Sequence, residues 1–371
     1  MSEQLEPLFD LTPTEDQQMM RDTVRKFASV EMREQAREAD ESRTVPDGFY
    51  DKVLELGFAM VQIPEEYGGM GLDRSPTGNM LLAEDLAEGD MSLAMGALSS
   101  LGFVNTVLDQ GTDEQKKKYL PRFAEETVHH ATVALNEPAV SFEPSQPKCS
   151  AKKDGAGYVL NGKKSMVVNG GSAELILVVA DLEGEGPAAF VVESGTSGLQ
   201  AEREKNMGLK PIEVSTLTLE GVKVGADAKL GGDAKFDLSR LVDLSRIGIA
   251  ALAVGTCQSV LDYVKEYCNE RVAFGEPITN RQSVAFMIAD IAIELEGMRM
   301  LTWRAAAKAD QGLDFHEEAY HAYLQAAEKG MKIGTDGVQL LGGHGFIREH
   351  PVELWYRNLR SVGILAGAVS I

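Results

Sequence analysis

The stretch YVLNGKKSMVVNGG, residues 158–171, separates this chain from an all-helical protein. Its β-branched and aromatic residues favour an extended strand, and its two Asn-Gly pairs are typical of tight turns. Similar short apolar runs, separated by Asp-Gly, Asn-Gly or Gly-Gly, continue through residues 131–233. This pattern predicts a middle domain over residues 131–233 that is an antiparallel β-barrel or sandwich.

The sequence on both sides of this β-segment has helical periodicity. Residues 1–130 include a capped start near Thr14 and a break at Gly68-Gly69 between apolar helices. Residues 234–371 contain long segments that are apolar over wide faces, as expected of helices in a bundle. We therefore predict an α+β fold with an N-terminal helical domain (1–130), a middle β-domain and a C-terminal helical bundle domain (234–371).

Length and composition limit the class of protein. A chain of 371 residues that is 44% hydrophobic and 25% charged can bury a large core. The 57 acidic and 36 basic residues give a net charge of -21, which disfavours a nucleic-acid or anionic-membrane binder. The N-terminus lacks a signal-peptide pattern, and because no window approaches 18 uncharged apolar residues we expect no membrane span.

Cysteine and histidine usage gives two further expectations. Cys149, Cys257 and Cys268 are far apart and form no CxxC pair, which is typical of reduced thiols in a cytoplasmic protein. The six histidines include a single close pair, His129-His130, and no HxxxH spacing. We therefore expect no metal site.

Five segments, in a fixed order, resemble the acyl-CoA dehydrogenase family. They are IPEEYGGMGL (63–72), NEPAVS (136–141), NGKKSMVVNGG (161–171), ERVAFGEPITNRQSVAFMIADIAIELEGMRML (270–301) and QLLGGHGFIREHPVE (339–353). The resemblance spans nearly the whole chain. It implies that the bundle has four helices, that FAD is the cofactor, and that the substrate is an acyl-CoA thioester. It also implies a dimer or a homotetramer, and a family chain normally continues with more helix beyond the position of Ile371.

The resemblance also implies the FAD contacts. One group matches the loop and strand beside the flavin ring, and a second matches positions that reach the FAD of a neighbouring subunit. A third group belongs to a glycine-rich loop that meets the pyrophosphate or ribose. The cofactor-binding candidates are Asn136, Glu137, Met166, Val168, Arg271, Phe274, Gln282, Gln339, Gly342 and Gly343. Without the resemblance, the glycine-rich loop is equally typical of a helix C-cap, and Arg271 of a surface ion pair.

The family's general base is missing at both places where it is expected. The resemblance implies substrate contacts from Arg246, Leu365 and Gly367, and a base in a final Glu-Gly-Thr segment or directly before the bundle-helix arginine. Those two positions are Ala366 and Ser245 here. Neither side chain accepts a proton at neutral pH, because an unactivated hydroxyl is too weak a base.

Two other residues are candidate replacements for the base. Asp243 lies three residues before Arg246, hence on the same helix face, and an ion pair with that arginine is the alternative interpretation. His344 is the second candidate, within the glycine-rich loop.

The flavin-ring positions have also lost polar groups. Met166 and Val168 stand where the family has Trp and Thr, and the threonine hydroxyl normally contributes a hydrogen bond of about 1 kcal/mol. Two hypotheses follow. The chain is an FAD-dependent enzyme on acyl-CoA thioesters with weak or altered dehydrogenation, or it is a catalytically degenerate subunit of a hetero-oligomer with an active paralogue.

Overall fold

The computed structural model describes residues 13–365 and 367–371, in which helices, a sheet and further helices follow one another along the chain. The first part contains a π-helical turn at Ala28–Met32 and several α-helices. The α-helices are α1 (Glu15–Phe27), α2 (Ala36–Ser42), α3 (Phe49–Glu55), α4 (Pro76–Gly89), α5 (Met91–Gln110) and α6 (Asp113–Tyr119).

Side-chain caps determine where these helices begin. The Thr14 hydroxyl accepts the Gln17 N–H at 3.2 Å and the Gln17 side chain accepts the Thr14 N–H at 3.0 Å, which confirms the predicted cap of α1. Asp90 ends α4 and begins α5, because its carboxylate accepts the Leu93 N–H at 2.9 Å. That cap lets two buried helices follow each other with a one-residue break.

The middle part is one seven-stranded sheet. Its strands are β1 (Ala131–Ala134), β2 (Ser150–Asp154), β3 (Gly157–Val168), β4 (Leu175–Leu182), β5 (Gly186–Glu193), β6 (Leu199–Arg203) and β7 (Val214–Val224). The strand order is β1-β4-β2-β3-β7-β6, with β5 paired to β4. The sheet is not purely antiparallel as the turn pattern predicts, because β4 runs parallel to β1 and, at its far end, to β2. The long loop between β1 and β2 permits this crossover.

The last part is a helical bundle. Its elements are α7 (Leu238–Glu270), a two-stranded hairpin of β8 (Val272–Ala273) and β9 (Glu276–Pro277), α8 (Gln282–Asp310), α9 (His316–Leu341) and α10 (Val352–Leu359). The long helix α7 is central: it packs against α8, α9 and α10, and also against α4 and α5. One continuous apolar core joins the N-terminal helices to the bundle. The predicted α+β fold class is confirmed, while the boundaries at residues 130 and 233 stay predictions.

Two helices are more apolar than the expectation of no membrane-length apolar window allowed. Met91–Gln110 and Leu238–Glu270 are each long and apolar enough, by length and composition alone, to cross a membrane. However, 83% and 78% of their most apolar windows are buried inside the protein. Their apolar character is therefore explained by their position in the core, where a helix is hydrophobic on all sides.

Candidate active site

Ser245, one of the two positions of the missing base, is hydrogen-bonded to Gly367, which follows the other position in the chain. Ser245, fully buried on α7, accepts the Gly367 N–H on its Oγ at 2.8 Å. Gly367 has a φ of +78°, and a Cβ there would lie 2.5 Å from the Leu135 Cβ, so only glycine fits. Ala366 lies outside the described residues, but both of its chain neighbours are described. This contact fastens the C-terminal segment to α7 one residue before Arg246.

The middle domain also contacts the C-terminal segment near the bond between Ser245 and Gly367. The Asn136 side-chain amide donates to the Ile364 carbonyl at 3.2 Å, and the Ser165 N–H donates to the Asn136 carbonyl at 2.9 Å. The β-domain, α7 and the C-terminal segment therefore converge. We call this meeting point the junction; its described members are Leu135, Asn136, Ser165, Ser245, Ile364, Leu365 and Gly367.

The two ring-side candidates follow Ser165 along β3. Met166 has a left-handed backbone, with φ of +54°, and its N–H donates to Glu204 Oε1 at 2.9 Å. Val168 is fully buried and its side chain belongs to the main apolar core. Neither side chain supplies a hydrogen bond there, and the Asn136 amide is already engaged. The two ring-side positions beside the junction are thus apolar, which matches the polar groups lost from the sequence.

Glu137 has a role that the sequence did not indicate. Its carboxylate accepts the Lys148 and Cys149 N–H groups at 2.9 and 2.8 Å, and the Lys164 ammonium at 2.8 Å. Lys164 is 0% exposed and also donates to the Leu135 carbonyl at 2.9 Å. The carboxylate is therefore committed to the β-domain, which leaves the backbone of this loop to contact a ligand.

Asp243 is held in an ion-pair network. It accepts from Arg246 Nη1 at 2.9 Å, and its other oxygen pairs with His316 Nδ1 at 2.8 Å. Burial raises the pKa of the Asp243 carboxyl, and both partners oppose that shift. Asp243 and Ser245 are two residues apart, about 200° around the helix axis, so Asp243 faces away from the junction. The ion-pair interpretation is favoured over the base.

A groove opens beside this network. Its volume is about 920 Å³, which is within the range of small-molecule sites. Arg246, Asp243 and His316 line it from α7 and α9, and Gln146 and Pro187 line it from the β-domain. The sequence did not reveal His316, since nothing in a lone histidine at the start of α9 indicates a contact with α7.

Most of the remaining cofactor candidates gather at the opposite end of the bundle. Arg271 ends α7, and its carbonyl accepts the Ile278 N–H at 2.9 Å across the β8–β9 hairpin. The loop after α9 reaches the same end, because Tyr267 on α7 is hydrogen-bonded to His344. We call this set the glycine-loop cluster; its members are Arg271, Phe274, Gln282, Gln339, Gly342 and Gly343.

The glycine-loop cluster has the donors that FAD would need. The side chains of Arg271, Gln282 and Gln339 are exposed and make no hydrogen bond or ion pair among residues 13–365 and 367–371. A Cβ placed on Gly342 or Gly343 would meet nothing within 4 Å, so open space lies against that backbone. A guanidinium, two amides and bare backbone suit a pyrophosphate and an adenosine. These residues fit the cofactor.

The junction and the glycine-loop cluster of one chain are too far apart to contact the same end of one ligand. Arg246 and Arg271 are 25 residues apart on one helix axis, about 37 Å at 1.5 Å per residue. Tyr267 and Ser245 are 22 residues apart, about 33 Å. His344, which is bound to Tyr267, therefore does not replace the base at the junction of its own chain.

Comparisons with known proteins agree with this architecture. Residues 14–127, 132–222 and 238–371 match the models of the acyl-CoA dehydrogenase N-terminal, middle and C-terminal domains. The mitochondrial short-chain specific acyl-CoA dehydrogenase of Bos taurus is 33% identical, over 96% of this chain and 88% of that protein.

Solved structures give the same result. The butyryl-CoA dehydrogenase of Megasphaera elsdenii has a TM-score of 0.88 and 31% identity, covering 97% of this chain and 96% of that one. A glutaryl-CoA dehydrogenase from Mycobacterium smegmatis, in complex with FADH2, has a TM-score of 0.84 and 25% identity, covering 96% and 92%. This chain belongs to the acyl-CoA dehydrogenase family.

Proposed function

We propose that this chain is an FAD-dependent flavoprotein that acts on an acyl-CoA thioester and performs ordinary α,β-dehydrogenation weakly. The observation that carries the proposal is the bond between Ser245 Oγ and the Gly367 N–H at 2.8 Å. It joins the two segments in which the family keeps its base, and it does so through a hydroxyl and a glycine. No side chain described at the junction is a carboxylate.

The cofactor assignment is supported by the donor set of the glycine-loop cluster and by the FADH2 complex of the relative from Mycobacterium smegmatis. When bound, FAD supplies the acceptor for a hydride from the substrate β-carbon. Arg271, Gln282 and Gln339 would hold its pyrophosphate and adenosine. Val168 and Met166 would face the ring with apolar contacts only.

The remaining requirement is removal of the α-proton. Leu135, Val168 and Leu365 are buried around the junction, and this apolar lining excludes water that could otherwise take the proton. Ser245 cannot serve, since no base among the described residues is hydrogen-bonded to its hydroxyl to activate it. Loss of a general base typically lowers the rate by about 10²–10⁴-fold.

We assign the groove beside α7 to the CoA part of the substrate. Arg246 and Lys235 give this side of the groove donors for an anionic arm, in a chain whose net charge is -21. Asp243 fixes the arginine, so its role is to position Arg246 in the groove.

Replacement of Arg271 by alanine is expected to release flavin. The exposed guanidinium is the cationic donor of the glycine-loop cluster, and charge-assisted bonds to phosphate are among the stronger contacts in proteins. Flavin content per chain, measured from the visible spectrum after gel filtration, should fall well below that of the wild type. Lys265→Ala, at an exposed lysine six residues earlier on α7, is the control. Equal flavin content in the two variants would contradict the assignment.

The exposed face of α8 supports an oligomer. Phe286, Ile293 and Met300 recur every seven residues and are 63%, 69% and 42% exposed. Gly297, between them, has open space where a Cβ would stand. Apolar residues at this spacing form a continuous stripe suited to packing against a helix of another chain. We propose that this stripe is the subunit interface, with the glycine-loop cluster beside it.

Ile293→Lys should break that interface, because it buries an unpaired ammonium in an apolar contact. Light scattering at micromolar concentration is expected to give a smaller particle than the wild type. Glu328→Lys, on the exposed side of α9, introduces the same side chain outside the stripe and should leave the mass unchanged. An Ile293→Lys protein whose particle mass equals that of the wild type would contradict the assignment of the stripe as the subunit interface.

One observation favours the second candidate, a degenerate subunit that pairs with an active paralogue. The ring-side positions are apolar or engaged, whereas the glycine-loop cluster, which would serve a neighbour, keeps its donors. The visible spectrum separates the two. A protein that is yellow, or becomes so with added FAD, supports the enzyme, and a colourless protein that takes up no FAD supports the degenerate subunit.

A further inference from the structure

The loop between α9 and α10 is anchored to the bundle by few groups. Gly342, Gly343 and Phe346 are exposed, and His344 and His350 turn toward α7. A Cβ on Gly345 would lie 2.2 Å from the Val338 carbonyl oxygen, so the backbone passes directly against α9 there. The conformation of the loop therefore depends on this close approach, on the two histidines, and on contacts of the His350 carbonyl and Arg348 with α2.

Each of these imidazoles is hydrogen-bonded to a tyrosine of α7. His344 Nδ1 is 2.7 Å from the Tyr267 hydroxyl, and His350 Nδ1 is 2.6 Å from the Tyr263 hydroxyl. The tyrosines are four residues apart and share one helix face. The two imidazoles stack with centroids 5.0 Å apart and planes within 14°. We call Tyr263, Tyr267, His344 and His350 the clasp.

We propose that the clasp positions the glycine-rich loop, and that protonation of its His350 imidazole opens it. The four clasp residues are positioning residues, since they act through the backbone of Gly342 and Gly343. The consequence for cofactor binding rests on the proposed function, whereas the pH-dependent opening of the loop does not.

Neutral imidazoles suit this arrangement and charged ones do not. A neutral ring with its proton on Nε2 accepts the tyrosine O–H at Nδ1. Protonation places an N–H on Nδ1, so the hydroxyl must turn and accept instead. It also places a positive charge against a stacked ring only 5.0 Å away.

The surroundings favour the neutral form. Burial lowers the pKa of the His350 imidazole, the neighbouring His344 lowers it further, and Glu349 acts in the opposite direction. Other charged groups face the clasp or its loop from adjacent elements. They are Glu266 on α7, Arg33 just before α2, Arg37 and Glu41 on α2, Arg348 in the loop, and Glu353 on α10.

The direction of the pH effect follows from the lowered pKa of His350. A histidine whose folded pKa lies below its ordinary value of 6.5 is less readily protonated in the folded loop than in the open one. Its contribution to the closed state is complete above pH 6.5 and is lost as the pH falls through the folded pKa. The loop is therefore closed at neutral pH and opens in mild acid.

Hydrogen exchange of the full chain without added FAD tests the opening directly. Amides in residues 342–350 are compared at about pH 7.5 and about pH 5.5, with rates corrected for the intrinsic pH dependence of exchange. We expect the corrected exchange to be several-fold faster at the lower pH than at the higher one.

The variant that isolates the titration is His344→Gln with His350→Gln. A glutamine oxygen still accepts the tyrosine O–H but takes no proton, so the pH response of the loop should disappear. His321→Gln, at an exposed histidine on α9, should keep it. Tyr263→Phe, which removes one bond of the clasp, should raise exchange at both pH values.

Equal corrected exchange of the wild-type loop at the two pH values would overturn the proposal. So would a wild-type pH response in the double glutamine variant. FAD titrations at the same pH values separate this inference from the proposed function. If the loop opens in acid but the protein has no affinity for FAD, the inference about the clasp stands and the proposed cofactor is wrong. Equal FAD affinity with the loop open and closed would overturn the positioning role.

Discussion

Ala366→Glu is expected to raise the rate of flavin reduction by a saturated acyl-CoA by about 10²-fold or more. The substitution restores a carboxylate in the segment that Ser245 fastens to α7 through the Gly367 N–H. Gly367 keeps the left-handed backbone that its contact with Leu135 requires. The new group therefore enters a segment that is already held in place. The rate is measured by anaerobic rapid mixing of flavin-loaded protein with substrate.

Ala366→Gln is the matched control, because it adds nearly the same volume without a base. If the glutamine variant gains as much as the glutamate variant, proton removal is not the limiting event. If neither variant gains while both hold FAD, the apolar ring side at Met166 and Val168 is also at fault. Only a gain specific to the carboxylate supports the missing base as the cause.

Glu137→Leu is expected to lower the stability of the protein by about 3–5 kcal/mol. Its carboxylate is the charged partner of Lys164, which is 0% exposed and is left with one neutral acceptor, the Leu135 carbonyl. Removing one member of a buried pair costs more than the pair contributes, because the remaining charge is uncompensated. The thermal midpoint, followed by circular dichroism, reports the loss.

Two further variants test whether the burial of Lys164 is the reason for the loss of stability. Glu183→Leu removes the partner of Lys152 in an exposed pair of the β-domain, and the midpoint should not change measurably. Adding Lys164→Met to Glu137→Leu removes the unpaired ammonium and should recover part of the loss. Equal midpoints for Glu137→Leu and Glu183→Leu would contradict the assigned role of Glu137.

Most of the fold could be predicted from local patterns. The strand pattern around residues 158–171 and the helical periods on both sides gave the α+β class, and the Thr14 cap was correct. The parallel pairing of β4 with β1 was missed, since turn residues carry no information about a strand that returns by a long crossover. The buried α5 and α7 show the same limit, because composition does not distinguish a core helix from a membrane span.

The candidate site was predicted in part, and the rest depends on contacts between distant residues. The resemblance indicated Arg246, Gly367 and the glycine-rich loop, but not that Ser245 Oγ binds the Gly367 N–H 122 residues away. The network of Asp243 with His316 and the pair of Glu137 with Lys164 were also invisible. Each partner is an ordinary polar residue in sequence. Only the fold brings them together.

The most direct test of the account is the visible spectrum of flavin-loaded wild-type protein after anaerobic mixing with a saturated straight-chain acyl-CoA. We expect the oxidised flavin bands to persist, or to bleach about 10²-fold or more slowly than in Ala366→Glu. Asp243→Asn should leave that slow rate of bleaching nearly unchanged at saturating substrate, since Asp243 faces away from the junction. Rapid bleaching of the wild type, whether or not Asp243→Asn abolishes it, would contradict the account, because a base would then exist that the junction lacks.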